Sequence, residues 1–420
     1  MRVAEWRIAV RAVILSIGAE LVTGLRLDTH SADIARALTA IGIEVVRHET
    51  VDDGAAEIEA ALRAAVAEAD LVVATGGLGP TLDDCTREAL AAAAGVPLDE
   101  SPDAKAHLVA WAKARGRTLS ESNFRQTLLP RGAKAIPNPV GTALGIEARA
   151  GKALIFVMPG VPAEMTRMLS EEVLPRLRQA DPGRVTVIRT VHTYGVPESI
   201  VGEKLADLMA PKRRPRVGTA VHGGTIDIHI YATGAPAEIS LLLEADAAAV
   251  RRRLGDAVFG EGQERLEDAV AALLAKRRAT IALAESCTGG LVAAKLVNVP
   301  GISEFLLEGV VAYANESKVR TVGVAEDLIR THGAVSEPVA RAMAEGIRVR
   351  NRASISLGVT GIAGPGGGTA EKPVGLVWFA VSDEKGTIAA KEVFSGDRAL
   401  IRERAANYAL NMLRLRLLKG

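Results

Sequence analysis

The sequence predicts an α/β protein, with two three-layer α/β domains joined by a small α+β domain. Three observations carry that prediction. Apolar runs alternate with amphipathic runs at both ends of the chain, the pattern of βαβ units whose parallel sheet is covered on both faces. Between roughly 184 and 262 the texture changes to short strand-like runs around one long helix-like run. Breaker residues at Asp181-Pro182-Gly183 mark the first seam. A chain of 420 residues is also too long for one ordinary core, and the expected domains are 10–181, 184–262 and 264–420.

In order, the first domain reads as strand AVILSIG from Ala12, helix DTHSADIARALTAIG, strand EVVRHETV, helix AAEIEAALRAAVAEA and strand DLVVATGG, with a later strand KALIFVMPG leading into PAEMTRMLSEEVLPRLRQ. The middle part reads RVTVIRTVHTYG, a helical VPESIVGEKLADLM, a basic linker PKRRPR, strand TIDIHIYATG and the helix-like PAEISLLLEADAAAVRRRLG. From Glu264 a second α/β unit follows: helix LEDAVAALLAKRR, strand TIALAES, a helix from Gly289, strand LEGVVAYA, helix EPVARAMAEGIRVR, strands SISLGVT and LVWFAVS, and a closing helix from Asp397. No repeat period appears, which excludes a solenoid.

Composition excludes several classes of function. With 51 Lys+Arg against 50 Asp+Glu the net charge is +1, so no general field attracts nucleic acid or an anionic membrane, and a phosphate-bearing substrate needs a local site. Cys85 and Cys287 supply neither a disulfide framework nor a four-cysteine zinc site, and a reducing cytoplasm is expected. No stretch approaches the roughly 18 to 20 apolar residues of a membrane span. Arg11 splits the first apolar run and Glu20 closes it, so the start reads as a strand rather than a signal peptide.

The most informative stretch is Ala284-Glu285-Ser286-Cys287-Thr288-Gly289-Gly290, at a strand end and a helix start. A serine there lies where free backbone N–H groups and a positive helix end can stabilise an oxyanion; equally, it can simply cap the helix. Cys287 is the rival nucleophile, since a thiolate needs less activation than a hydroxyl. No histidine lies nearby in sequence, so the base must be Lys or Tyr. Tyr313-Ala314-Asn315-Glu316-Ser317-Lys318 offers both. A third element, Thr360-Gly361-Ile362-Ala363-Gly364, runs into a glycine-rich loop suited to an anion. Asp397-Arg398 offers either a helix cap or a guanidinium for phosphate.

Together AESCTGG, GVVAYANESK, GAVSEPVA, GIAGPGGG, KPVG and SGDR, in order from about Glu264 to Leu418, resemble the nicotinamide-mononucleotide deamidase domain at the C-terminus of the competence/damage-inducible CinA family. The resemblance implies a serine amidase needing no cofactor, in which Ser286 attacks the carboxamide and Lys318 is the base, oriented by Tyr313. Thr360 and Arg398 would help hold the nucleotide, with Thr288, Gly289, Gly290, Asn315, Gly361 and Gly364 as further substrate contacts. Ser395 replaces the proline usual before Gly-Asp-Arg.

At the other end, Thr75-Gly76-Gly77-Leu78-Gly79-Pro80-Thr81-Leu82-Asp83-Asp84 follows a strand. Gly76, Gly77, Gly79 and Thr81 suit a phosphate, while Asp83 and Asp84 can hold a hard cation or cap the next helix. With Gly18-Ala19-Glu20-Leu21, Asn138-Pro139-Val140-Gly141-Thr142 and Met158-Pro159-Gly160-Val161-Pro162-Ala163-Glu164, this stretch is similar to the molybdopterin-binding domain of CinA and molybdenum-cofactor proteins. That likeness implies an ADP-ribose pyrophosphatase dependent on a divalent cation (Mg, Mn or Co), against which Phe124, Ser122 and His30 depart from the pattern. The middle domain looks like the family's KH-type domain, without a basic Gly-x-x-Gly loop to bind RNA. The family resemblance also implies a homodimer acting on small-molecule nucleotides; a recombination partner is suggested by the family's name alone. Two rival readings remain, a nucleotide-binding scaffold and a molybdenum-cofactor enzyme.

Overall fold

The computed structural model describes residues 10–180, 183 and 185–419; the expected seam at Asp181-Pro182 and the basic start at 1–9 lie outside the described residues. The chain divides into two compact units, Met1–Val187 with Ala232–Leu241 and Ile188–Tyr231 with Leu242–Gly420. Most of the middle segment therefore belongs to the second unit.

In the first unit the strands are β1 (Arg11–Ile17), β2 (Glu44–Val51), β3 (Leu71–Thr75), β4 (Leu98–Glu100), β5 (Leu128–Pro130), β6 (Lys134–Ile136), β7 (Gly145–Ala150) and β8 (Ala153–Met158). Six form one sheet in the order β2-β1-β3-β8-β7-β6, while β4 and β5 pair separately. The first four are parallel; β7 runs antiparallel to β8, and β6 antiparallel to β7. The central strands read as unbroken apolar runs because both faces are covered. Val13, Leu15, Val72 and Ala74 pack with Ile58 and Leu62; Ala12, Ile14, Leu71 and Val73 pack with Ile34, Leu38 and Met165.

The middle segment builds a four-stranded sheet, β10-β11-β9-β12, from β9 (Val185–Tyr194), β10 (Arg216–His222), β11 (Thr225–Gly234) and β12 (Val258–Glu261), with helices Glu198–Lys204 and Pro236–Leu254. Gly223 and Gly224 form the two-residue turn of the β10–β11 hairpin, both at positive φ (57° and 89°), a conformation glycine adopts without strain. The basic run is not a loose linker, since Arg213 is bound in a bidentate pair to the buried Asp246.

The C-terminal α/β part is a five-stranded sheet ordered β14-β13-β15-β16-β17, with β13 (Ile281–Glu285), β14 (Leu306–Val311), β15 (Ile355–Gly361), β16 (Leu376–Asp383) and β17 (Gly386–Val393). The three strands β14, β13 and β15 are parallel; β16 and β17 return antiparallel. Period two along β13 sends Ile281 and Leu283 into a core with helices Leu266–Arg277 and Arg398–Lys419, and Ala282 and Ala284 against Val322, Val339, Met343 and Ile347 on the other face. The chain leaves β13 for β14 on one side and returns to β15 on the other. Such a reversal opens a crevice at the carboxyl ends of the strands, and Ser286 follows the last residue of β13.

The helix Glu337–Asn351 crosses so close to Asn315–Val322 that a Cβ on Gly346 would overlap the Val322 carbonyl oxygen. Gly346→Ala is expected to destabilise the protein by about 3 kcal/mol, because backbone must move to admit the methyl group. Thermal or urea unfolding of the purified variant measures this; a midpoint equal to wild type would show that the two helices separate freely.

Candidate active site

Ser286 and Lys318 meet at the crevice. Lys318 lies in the helix Asn315–Val322 with its side chain turned inward, 1% exposed, and Ser286 is 7% exposed. Lys318 Nζ is 3.0 Å from Ser286 Oγ, 2.9 Å from the Ala312 carbonyl oxygen and 2.9 Å from that of Tyr313. Ala312 continues the sheet by donating its N–H to the Glu285 carbonyl at 2.8 Å, which fixes one of those acceptors relative to the nucleophile. Among the described residues no carboxylate pairs with Lys318. Burial lowers the pKa of its ammonium below the ordinary lysine value, because the charged form loses water and gains no counter-charge. Nζ thus has three oxygen partners, the two carbonyls and the Ser286 hydroxyl, and once deprotonated it can accept a proton from that hydroxyl.

Cys287 has a different environment. It is 6% exposed and packs in the apolar core with Leu283, Val292 and Phe379, and burial pushes its thiol up to about 12. At neutral pH it is a thiol, not a thiolate.

The expected helix from Gly289 begins instead at Leu291, with Gly290 as its N-cap, and has seven residues. Its first N–H groups are already bonded within the protein. The buried Glu285 carboxylate accepts from Val292 N at 3.1 Å and Ala293 N at 2.8 Å, so it neutralises the positive helix end on which the sequence argument relied. Ser286 is not a cap. It opens a tight turn closed by Gly289 N–H to the Ser286 carbonyl at 3.0 Å, with Gly289 and Gly290 at φ of 63° and 88°.

Tyr313 lies just beyond β14 rather than within it. Its main-chain carbonyl meets Lys318, whereas its phenol is 58% exposed and accepts a hydrogen bond from Arg398 Nη2 at 3.0 Å. Tyr313 therefore touches Lys318 through its main-chain carbonyl. Arg398 Nη1 also donates to the Gly364 carbonyl at 2.7 Å, and Asp397 caps the last helix through Leu400 N at 2.8 Å; capping and guanidinium roles are divided between the two residues. Thr360 is buried at the end of β15 with Oγ1 donating to the Ala334 carbonyl at 2.9 Å. Gly361 is pressed against the Leu376 carbonyl. Asn315 is exposed at the first turn of its helix. Thr288 is fully buried, and its Oγ1 has no hydrogen-bond partner. Its carbonyl accepts twice from Arg402, at 3.2 and 2.9 Å. Sequence reasoning missed Glu285, the Ala312 carbonyl and Arg402; the acid directly before the nucleophile was the one visible signal among them.

In the first unit Gly76, Gly77 and Gly79 line a cleft of about 450 Å³ with Asp83, Asp84 and Glu164. The carbonyls of Gly76 and Gly77 are held by Thr86, and those of Leu78 and Gly79 by the buried Arg87. Because C=O and N–H of one trans peptide point in opposite directions, the N–H groups of Gly77, Leu78 and Gly79 are turned the other way, as an anion site requires. Arg87 was not anticipated from the sequence. Asp84 accepts from Thr81 N at 2.9 Å and from the Thr81 hydroxyl, and Asp83 is exposed. Among the described residues no three His, Cys, Asp or Glu side chains gather that could hold a metal ion. His30 begins a helix, Ser122 bonds Ser120, and Phe124 stands 37% exposed.

Comparison with known proteins matches 263–417 to the family described as "CinA C-terminal domain", 13–179 to "Probable molybdopterin binding domain" and 188–260 to "Damage-inducible protein CinA KH domain". A CinA-like protein of Geobacter sp. (strain M21) is 45% identical, covering 97% of this chain and 98% of its own. Another, of Anaeromyxobacter sp. (strain Fw109-5), is 44% identical over 96% of this chain and 98% of its own. The crystal structure of competence/damage inducible protein CihA from Agrobacterium tumefaciens is 39% identical, covering 36% of this chain and 93% of that one, with a TM-score of 0.36. No helix among the described residues is long and apolar enough to cross a membrane. With three matched domains in this order and full-length relatives above 40% identity, the chain belongs to the CinA family.

Proposed function

We propose that the C-terminal domain hydrolyses the carboxamide of nicotinamide mononucleotide to the nicotinate nucleotide and ammonia, in cytoplasmic recycling of pyridine nucleotides. One observation carries the reading: a buried lysine with no carboxylate partner among the described residues, its Nζ 3.0 Å from a serine hydroxyl. Neutral Lys318 takes the proton as Ser286 Oγ attacks the amide carbon. The C–N bond then breaks as Lys318 returns that proton to the departing nitrogen, and ammonia leaves an ester on Ser286. Water, deprotonated by the same lysine, attacks the ester carbon; the bond to Ser286 Oγ breaks as Lys318 returns the proton to that oxygen, which frees the acid and restores both residues. No step needs a metal. The mononucleotide as substrate rests on family membership, and the same resemblance assigns Arg398 to its phosphate. The test is product analysis by chromatography of the full-length chain with nicotinamide mononucleotide, with nicotinamide riboside as the phosphate-free control. Acid and ammonia in equal amounts, faster from the mononucleotide, are expected; an intact amide would overturn the reading.

For the first unit, the clamped carbonyls of the glycine loop favour a phosphate-bearing ligand in its cleft. The proposal for this unit stops at binding.

A further inference from the structure

We propose that Arg402 is a positioning residue for the nucleophile, holding the turn that aims Ser286 at Lys318. The inference rests on the reading of Ser286 as nucleophile. It begins from a weakness in that turn. Two consecutive glycines, Gly289 and Gly290, both at positive φ, are the residues with the widest backbone freedom, so sequence alone does not hold the turn in one shape. Something outside it must.

Arg402 fills that role from the last helix, Arg398–Lys419. Its Nε and Nη2 both donate to the Thr288 carbonyl, at 3.2 and 2.9 Å, and a charged fork on one carbonyl is stronger than a neutral bond. The next N–H in the same peptide, that of Gly289, donates to the Ser286 carbonyl at 3.0 Å. Arg402 therefore fixes one end of a planar unit whose other end holds the nucleophile residue. The guanidinium also lies over Gly289, where a Cβ would meet Nη2 at 3.3 Å. Glu285 anchors the far side through Val292 and Ala293. One helical turn earlier Arg398 holds the Gly364 carbonyl and the Tyr313 phenol, so the first turns of one helix tie together loops following β13, β14 and β15. Arg402 reaches a carbonyl two residues from Ser286, and its effect is on geometry of attack rather than on substrate affinity.

Full-length Arg402→Gln, Arg402→Lys and Arg402→Ala are compared with Arg404→Gln, which lies two residues on and bonds Ser395 instead. Three readouts are taken: kcat and KM for nicotinamide mononucleotide, the rate at which a fluorophosphonate labels Ser286, and the unfolding midpoint. Misplacement of reacting atoms by about 1 Å costs on the order of a hundredfold, so Arg402→Gln is expected to lower kcat about 10- to 100-fold with KM within about twofold of wild type. Labelling slows in parallel, Arg402→Lys recovers part of the loss, and millimolar guanidinium raises the rate of Arg402→Ala. Arg404→Gln leaves kcat unchanged. Wild-type kcat in a folded Arg402→Gln overturns the proposal, as does a raised KM at constant kcat, which would make Arg402 a substrate contact. If Arg402→Gln fails to fold, Arg402→Lys carries the same readouts. If wild type labels at Ser286 but releases no ammonia, the amidase reading falls while the labelling rates still decide on Arg402.

Discussion

Ser286→Ala is expected to abolish ammonia release from nicotinamide mononucleotide, with a fall in kcat of at least about a thousandfold, while Cys287→Ala keeps most of it. The first expectation follows from the loss of the covalent route, whose removal leaves only the background of positioning and binding. The second follows from burial. A thiol pushed up to about 12 and packed in the core holds almost no thiolate at neutral pH, and removing its sulfur costs only packing. The same burial predicts that iodoacetamide at pH 8 leaves Cys287 unmodified until the protein unfolds. Steady-state assay of the two variants decides between the residues, since exchanged phenotypes would make the thiol the nucleophile.

Lys318→Arg is expected to lose turnover by about two or more orders of magnitude while retaining substrate affinity, because a guanidinium keeps the charge but does not give up its proton near neutral pH. Lys318→Ala should lose turnover as well. The wild-type pH profile gives an independent check. Lys318 acts as base in its neutral form, and burial lowers its pKa, so activity rises with pH through a limb that lies below the ordinary lysine value of about 10.4 and is flat above it. A limb at the ordinary value, or near wild-type kcat in Lys318→Arg, would make Lys318 an electrostatic anchor and pass the role of base to another group.

Much of this arrangement is legible in the sequence, and the illegible part has physical causes. The α/β order at both ends was visible because β3, β8 and β13 are covered on both faces and so read as unbroken apolar runs. β10 and β17 were missed because they are half-exposed strands of mixed polarity. Ser286 and Lys318 stood out as chemistry-bearing residues beside a strand end and a helix start. What joins them did not: the carbonyls of Ala312 and Tyr313 and the guanidinium of Arg402 act through main-chain groups and long-range packing, which leave no spacing in the sequence to read. The helix N-terminus is not vacant for a local reason: Glu285, the neighbour of the nucleophile, occupies it.

The central claim is that an ester forms on Ser286. Rapid quenching of full-length protein with nicotinamide mononucleotide, followed by peptide mass spectrometry with fragmentation between Ser286 and Cys287, tests it most directly. The expected result is a nicotinoyl nucleotide adduct on Ser286, formed with one equivalent of ammonia and absent from Ser286→Ala. An adduct on Cys287, or ammonia released by Ser286→Ala at the wild-type rate, would contradict it.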